Sequence, residues 1–310
     1  KPVITRQQEG YNVTFREDDP VGTIRHWPQT LSAMVITPGD TVTGEVIPAD
    51  NKSFIMTAEK PVCIIPDISG RAYGTFVFDS ITTDHLTLHI NEFADPLLRG
   101  VLWVNMYENL VNGTIAPVIF YGTIFTALES ENDLQLVNYL SGRFSSVFWD
   151  FLSDTERDSV ATDAEKMLWF KVLQTIDPAV QRTWFSLYRN IAVTEDGMTN
   201  LIKTWESTLL PGGLKLSEDE LCTLALTIAV KGYTNAEKII AGQRGRITVN
   251  DRLLQFDFVV PSVSSDQTVR DAFFSSLSDP VNREHEPWVI EALEYLHHPM
   301  VARRSEKYIL

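Results

Sequence analysis

Apolar and polar residues alternate along the first quarter of the chain, a pattern typical of half-buried β-strands. The segment VITRQQEGYNVTFRED alternates on both sides of Glu9-Gly10 and predicts a hairpin. Two further strands are predicted around the turn at Pro38-Gly39-Asp40. The short runs SFIMTAE and PVCIIP add strands, and AYGTFVFD predicts the end of a last hairpin near Asp79. Roughly seven short strands at this spacing predict a small antiparallel β-sandwich.

The apolar period then changes to three or four residues, which indicates helices. A linker containing HLTLH, predicted as strand or loop, separates the strands from the first helix, which is predicted to run from Asp95-Pro96 to Gly113. Roughly twelve helices with short connections predict a series of antiparallel helical hairpins, an α-solenoid of armadillo or HEAT type. Further pairs typical of helix starts are Asp177-Pro178, Ser217 with Glu220, and Thr234 with Glu237.

The change of period predicts two domains. Residues 1–79 are expected to form the β-sandwich and residues 80–310 the helical domain, so the fold class is mainly α with an N-terminal β domain. The chain begins within an alternating run, and its last segment, from Met300, still has a helical pattern at Leu310. We therefore expect a piece of a longer protein, with apolar surface exposed around Leu310.

Composition narrows the possible functions. With 44% hydrophobic and 22% charged residues, the chain has the make-up of a globular protein. A net charge of −15 argues against a nucleic-acid surface, which needs clustered Lys and Arg. We find no apolar run of about 18 residues that would span a membrane. Cys63 and Cys222 are expected in different domains, so a disulfide is not predicted and the compartment stays undetermined.

A zinc hydrolase site on a helix needs two histidines four residues apart with a glutamate beside the first, the HExxH pattern. His285-Glu286 lacks the second histidine. His85 and His89 have the spacing, but Leu86 stands where the glutamate is required. Because that segment is also predicted as strand or loop, a surface or partly buried pair of histidines is favoured there over a metal site.

Other motifs point to structure as well. The run Gly242–Arg246 superficially resembles a phosphate loop, but it lacks the Lys-Ser/Thr ending and a preceding strand, so a helix end and turn is favoured. His297-His298 is predicted to end a helix. We find no nucleophile elbow, Walker A or dinucleotide motif. The sequence therefore identifies no catalytic, cofactor-binding or metal-ligating residue.

Five segments, in order, resemble the C-terminal region of zinc aminopeptidases of the aminopeptidase N type. The first is IIPDISGRAYGTFVFD, which is similar to the strand pair that closes the small β-domain of that family. The next three are similar to the first helices of its helical domain, and the last to a late helical segment of bacterial members. The segments are residues 64–79, 99–113, 129–132, 148–152 and 286–310.

The resemblance implies a β-sandwich and helical domain of a metallopeptidase whose zinc and catalytic glutamate lie in an upstream domain. Neither HExxH nor the substrate-amine loop of that family occurs here, so no catalytic residue is carried over. The resemblance implies that this chain is a spacer and a helical bowl that closes over a peptide-binding chamber. Its partners would be the catalytic domain of the same polypeptide and the peptide substrate, and no cofactor is expected in this chain.

A second interpretation stays open. The chain could be a stand-alone protein-interaction scaffold, a sandwich joined to HEAT-like helices with no enzyme partner. The length of the native reading frame discriminates the two. An upstream HExxH in the same frame supports the aminopeptidase, and a start codon near Lys1 supports the scaffold.

Overall fold

The computed structural model describes residues 1–19, 21–22, 28–48 and 54–309. These residues form two small antiparallel sheets followed by helices, which confirms a mainly α chain with an N-terminal β domain. The strands are β1 Pro2–Gln7, β2 Gly10–Phe15, β3 Leu31–Ile36, β4 Thr41–Val46, β5 Ile55–Thr57 and β6 Cys63–Ile65.

The two sheets have three strands each, in the orders β1-β2-β5 and β4-β3-β6. Alternate residues of β2 and β3 are buried, and they share one core with residues of β4, β5 and β6, so the sheets form a sandwich. Both predicted hairpins are present. Gly10 begins β2 with φ +144°, and a Cβ there would overlap the carbonyl of Thr57, so this turn requires glycine.

The predicted last strand, within AYGTFVFD, is wrong. In the part of the chain that the structure describes, six strands form and residues 66–79 have no strand. Side chains take the place of strand partners here. The amide of Gln29 pairs with both the N–H and the carbonyl of Tyr73. The side chain of Asn109 accepts a hydrogen bond from the Phe78 N–H and donates one to the Phe76 carbonyl.

Thirteen α-helices occupy the described residues from Ser80 onward. Their bounds are α1 Ser80–His89, α2 Pro96–Val111, α3 Pro117–Ser130, α4 Leu134–Ser146, α5 Asp154–Gln174, α6 Pro178–Ile191, α7 Glu195–Ser207, α8 Glu218–Val230, α9 Ala236–Arg244, α10 Asn250–Val259, α11 Gln267–Ser276, α12 Glu286–Leu296 and α13 Ala302–Ser305. A π-helical turn, Val147–Phe151, follows α4.

The helix α1 corrects the sequence prediction of a linker with a strand or loop at HLTLH. The Asp79 carboxylate accepts a hydrogen bond from the N–H of Thr82 and caps the helix start. Thr82 and Leu86 are buried on the inner side, where the Thr82 hydroxyl accepts a hydrogen bond from the Ile64 N–H of β6. A capped start and a buried inner side therefore make this segment helical.

The helix caps mostly follow the sequence. Asp95 and Asp177 each cap a helix that has proline at its first position, as predicted. Ser217 and Glu220 form the predicted capping box of α8. The box predicted for Thr234 with Glu237 is wrong, because α9 begins after Asn235 without a side-chain cap.

The segment predicted as a helix from Met300 forms short helical turns. They are held on α11 by Tyr308, whose ring stacks on Phe274 at 4.4 Å, and by Lys307, which pairs with Asp271. Leu310, where apolar surface was predicted, lies outside the described residues.

The chain divides into two compact units, Lys1–Val147 and Phe148–Leu310. The change from strand to helix falls between β6 and α1, so the first unit contains both the sandwich and helices α1 to α4. The expected division of domains after residue 79 stays a prediction.

Candidate functional site

The segment between β6 and α1 is held by Asp67, which is 1% exposed. Its carboxylate accepts hydrogen bonds from the N–H groups of Ser32, Ser69, Arg71 and Ala72, and from the Ser69 hydroxyl at 2.7 Å. Burial alone would raise the pKa of Asp67, but the hydrogen bonds from Ser69 and from backbone N–H groups outweigh burial and lower it. Asp67 is thus a charged anchor for a loop with no strand partner.

Asn109 fastens the same segment to α2. Its side-chain oxygen accepts a hydrogen bond from the N–H of Phe78 at 3.0 Å, and its side-chain nitrogen donates to the carbonyl of Phe76 at 2.8 Å. The same nitrogen donates to the carbonyl of Asn105 within the helix. Because Asn109 is 1% exposed, these hydrogen bonds are shielded from water.

The start of α2 is tied to the end of α3 by an ion pair. The Arg99 guanidinium donates to both oxygens of Glu131, at 2.8 and 2.9 Å, and also to the carbonyls of Phe93 and Ala94. Burial would raise the pKa of Glu131, but hydrogen bonds from Arg99 and from backbone N–H groups lower it. Such a two-fold pair fixes orientation as well as distance.

A cleft of about 600 Å³ lies in the first unit, where this segment meets α2 and α4. Leu97 and Val104 line it and are exposed, as parts of an apolar flank of α2. Two carboxylates also line it, but Asp67 holds the loop and Asp133 caps α4. The cleft can therefore receive an apolar group, and its carboxylates are already engaged by backbone N–H groups, so they are not poised for acid–base chemistry.

The second unit contains a buried cationic cluster around Trp149. Lys231 donates from its Nζ to the carbonyls of Arg189, Asn190 and Ala192 at 2.6–2.7 Å, where α6 ends. Burial lowers the pKa of Lys231 to about 7. The ring of His298 packs on Trp149 at 4.8 Å.

His298 also caps the helical turn that follows α12. Its Nδ1 accepts a hydrogen bond from the N–H of Met300, so the ring is neutral with its proton on Nε2. Burial, followed by the positive charges of Lys231 and Arg157, lowers the pKa of His298 to about 4. These cations and this imidazole hold backbone groups, which makes the cluster structural.

Two of the motifs considered in the sequence lie at helix ends in the structure. Gly242–Arg246 ends α9 and starts a turn, as predicted. Gln243 in it is buried and accepts a hydrogen bond from the Trp205 indole, while Arg246 lies over the Trp205 ring. His285 precedes α12 and stacks on Trp288. The Gly242–Arg246 run therefore packs around the Trp205 ring.

His85 and His89 lie on the same flank of α1, with ring centres 4.7 Å apart. Nδ1 of His89 lies 2.9 Å from a carboxylate oxygen of Glu92. Across the described residues, no three or more His, Cys, Asp or Glu side chains are grouped so as to hold a metal ion. None of the helices in the described ranges is both long and apolar enough to cross a membrane.

The sequence analysis did not identify the buried charged residues that connect one element to the backbone of another. Lys231, Glu165 and Arg270 are buried charged side chains whose partners are backbone groups of other elements. A charged residue inside an otherwise apolar helical run, such as Lys231 after TLALTIAV, was the available signal. Such a residue must be paired when it is buried.

No protein-family model matches the chain, and no curated protein matches it.

Proposed function

We propose that this chain is the noncatalytic C-terminal portion of a zinc-dependent aminopeptidase of the aminopeptidase N type. In this role the sandwich acts as a spacer. The helices form part of a bowl that closes over the peptide-binding chamber of the parent hydrolase. A closing element of this kind sequesters substrate and excludes water from the reacting centre.

One observation carries the proposal: polar residues of the segments that resemble the family hold these segments to one another by hydrogen bonds and an ion pair. Asp67 holds the first segment, Arg99 joins the second to Glu131 of the third, and Asn109 joins the second to the first. Motifs whose polar residues connect structural elements are expected in a region that supports an active site located in another domain.

The zinc of such an enzyme does not fit this chain. The described residues hold no three-ligand group, and the sequence has no HExxH. Within this proposal, zinc and the catalytic glutamate belong to the upstream catalytic domain of the same polypeptide. This chain contributes the walls of the chamber and its closure.

The test compares two proteins. The 310-residue chain and the longer native reading frame are each assayed for hydrolysis of aminoacyl-anilide substrates and for tightly bound zinc. We expect turnover and one tightly bound zinc in the longer protein only. Turnover by the 310-residue chain, or a native frame without an upstream HExxH, would overturn the proposal.

The protein-interaction scaffold is the second candidate. It is favoured by three exposed apolar side chains at and just after the end of α5, since Phe170, Leu173 and Ile176 are 58%, 51% and 95% exposed. Large exposed apolar side chains that lie close together mark interaction surfaces, and these three fall within seven positions of the chain. A native frame that starts near Lys1 would support this function over the aminopeptidase.

A further inference from the structure

We propose that His85 and His89 form a chelate site for a divalent transition-metal ion on the flank of α1. This inference does not depend on the proposed function. Two imidazoles supply the protein ligands, and water or an outside ligand completes the coordination.

The first argument is spacing on a helix. Because α1 is helical from Ser80 to His89, residues four apart lie one above the other on the same side. The ring centres of His85 and His89 are 4.7 Å apart and the ring planes are inclined by 39°. Two imidazoles that share one ion at metal–nitrogen distances of about 2.1 Å have ring centres about 5 Å apart. The observed separation of the ring centres is therefore compatible with two imidazoles that share one ion.

The second argument is the orientation of His89. Its Nδ1 faces a Glu92 carboxylate oxygen at 2.9 Å, and an ionised carboxylate can only accept a hydrogen bond. This contact favours the tautomer with its proton on Nδ1, in which Nε2 of the neutral ring is the nitrogen that can bind a metal. A carboxylate behind a ligating histidine is the arrangement that metal sites use to fix the tautomer and raise basicity.

The third argument is access. The side chains of His89 and Glu92 are 42% and 71% exposed, so an ion can reach the imidazole from solvent. The inner side of the same helix is closed, because Leu86 and Ile90 are buried. The pair therefore stands on a firmly packed helix and faces solvent at its outer edge.

The chemistry limits what the site can do. Leu86 occupies the position at which a hydrolytic HExxH site carries its glutamate base, so the site binds an ion without a base beside it. Two ligands are half of a full structural zinc set, which corresponds to a dissociation constant on the order of 1–100 μM. Imidazole ligands favour Cu²⁺ over Ni²⁺ and Zn²⁺.

The test is calorimetric titration of Ni²⁺ into the metal-free 310-residue chain near neutral pH. We expect one site per chain, at least about tenfold weaker binding in His85→Ala and in His89→Ala, and about tenfold weaker binding in Glu92→Ala. His285→Ala removes an exposed histidine elsewhere and is the matched control, with binding as in the wild type. Ni²⁺ should also raise the melting temperature of the wild type but not that of His89→Ala.

A second measurement needs no variant. Substoichiometric Cu²⁺ should broaden the ring NMR signals of His85 and His89 before those of the other four histidines of the chain's six. Wild-type affinity in both His85→Ala and His89→Ala, no binding by the wild type, or equal broadening of all histidines would overturn the proposal. Equal broadening would indicate adventitious binding only. Each of these results leaves the aminopeptidase assay unaffected, so the two proposals fail separately.

Discussion

Arg99 and Glu131 form a bidentate ion pair that joins the first turn of α2 to the residue that ends α3. Their side chains are 13% and 4% exposed. The carboxylate also accepts hydrogen bonds from the N–H groups of Asn132 and Asp133, and the guanidinium donates to two loop carbonyls. One pair of side chains therefore joins the start of α2 to the end of α3.

Replacing Glu131 by Gln should lower the free energy of unfolding by about 3–5 kcal/mol, because the Arg99 charge is left buried without a counter-charge. Urea unfolding measures this change in the free energy of unfolding. Arg244→Ala, which breaks an exposed pair with Asp257, is the control and should change stability little. A Glu131→Gln protein as stable as the wild type would show that the pair does not hold the hairpin.

Replacing Asn109 by Leu should destabilise the first unit by about 2–4 kcal/mol, because the buried Phe78 N–H and Phe76 carbonyl lose their partner. Hydrogen exchange of the Phe78 amide is the specific measurement, and its protection should fall. Asn109→Asp, which keeps the acceptor but not the donor, should retain more of that protection than the leucine variant. Equal protection in all three proteins would contradict this account of residues 66–79.

Gly197→Ala should lower the free energy of unfolding by about 2–3 kcal/mol. A Cβ at this position would overlap the Glu165 carboxylate. That carboxylate cannot withdraw without losing its hydrogen bonds from Val193 and Thr194.

Gly142→Ala is the matched control for the Gly197 variant. Gly142 lies inside α4, is exposed, and has nothing within 4 Å of an added Cβ. Thermal or urea unfolding should show this variant stabilised by about 0.5–1 kcal/mol. A Gly197→Ala protein that gains stability in the same way would refute the close approach to Glu165.

Stability should fall as pH drops from about 6.5 towards 4, through His298. Its pKa is lowered to about 4 in the folded protein, against 6.5 for an ordinary histidine, so the unfolded chain binds the proton first. The stability present above pH 6.5 is therefore lost across this window, by up to about 3 kcal/mol. His298→Asn keeps an acceptor for the Met300 N–H and removes the titration.

The measurement is the difference in unfolding free energy between the wild type and His298→Asn at several pH values. The carboxylates of the chain are present in both proteins, so taking the difference isolates the titration of His298. As pH falls from 6.5 to 4, the wild type should lose unfolding free energy relative to His298→Asn. A difference independent of pH would mean that His298 titrates normally.

Features decided by neighbouring residues could be predicted from the sequence. The hairpin turns and the starts of α2, α6 and α8 depend on glycine, proline and capping residues within a few positions, and these predictions are confirmed. The strand-to-helix order follows from the change of apolar period. The sequence also indicated correctly that Gly242–Arg246 is a helix end.

Features that are decided by residues far apart in the chain could not be predicted from the sequence. Residues 72–79 alternate like a strand, but Asn109, more than thirty positions further along, takes up the backbone groups that a strand partner would bind. Lys231 bonds to carbonyls 39 to 42 residues earlier. The sequence predicts a strand or loop at His85 and His89 and lacks the glutamate of HExxH there, so it does not indicate that the two rings come together. The helix that brings them together depends on burial of Leu86 and Thr82 and on the hydrogen bond of Thr82 to β6.

The central claim, that this chain is the noncatalytic part of a zinc aminopeptidase, is tested most directly by aminopeptidase assay and zinc analysis of the 310-residue chain beside its full native reading frame. The claim predicts no turnover by the chain, and turnover with one tightly bound zinc in the full protein. Turnover by the 310-residue chain itself, or a full reading frame with neither activity nor zinc, would contradict it.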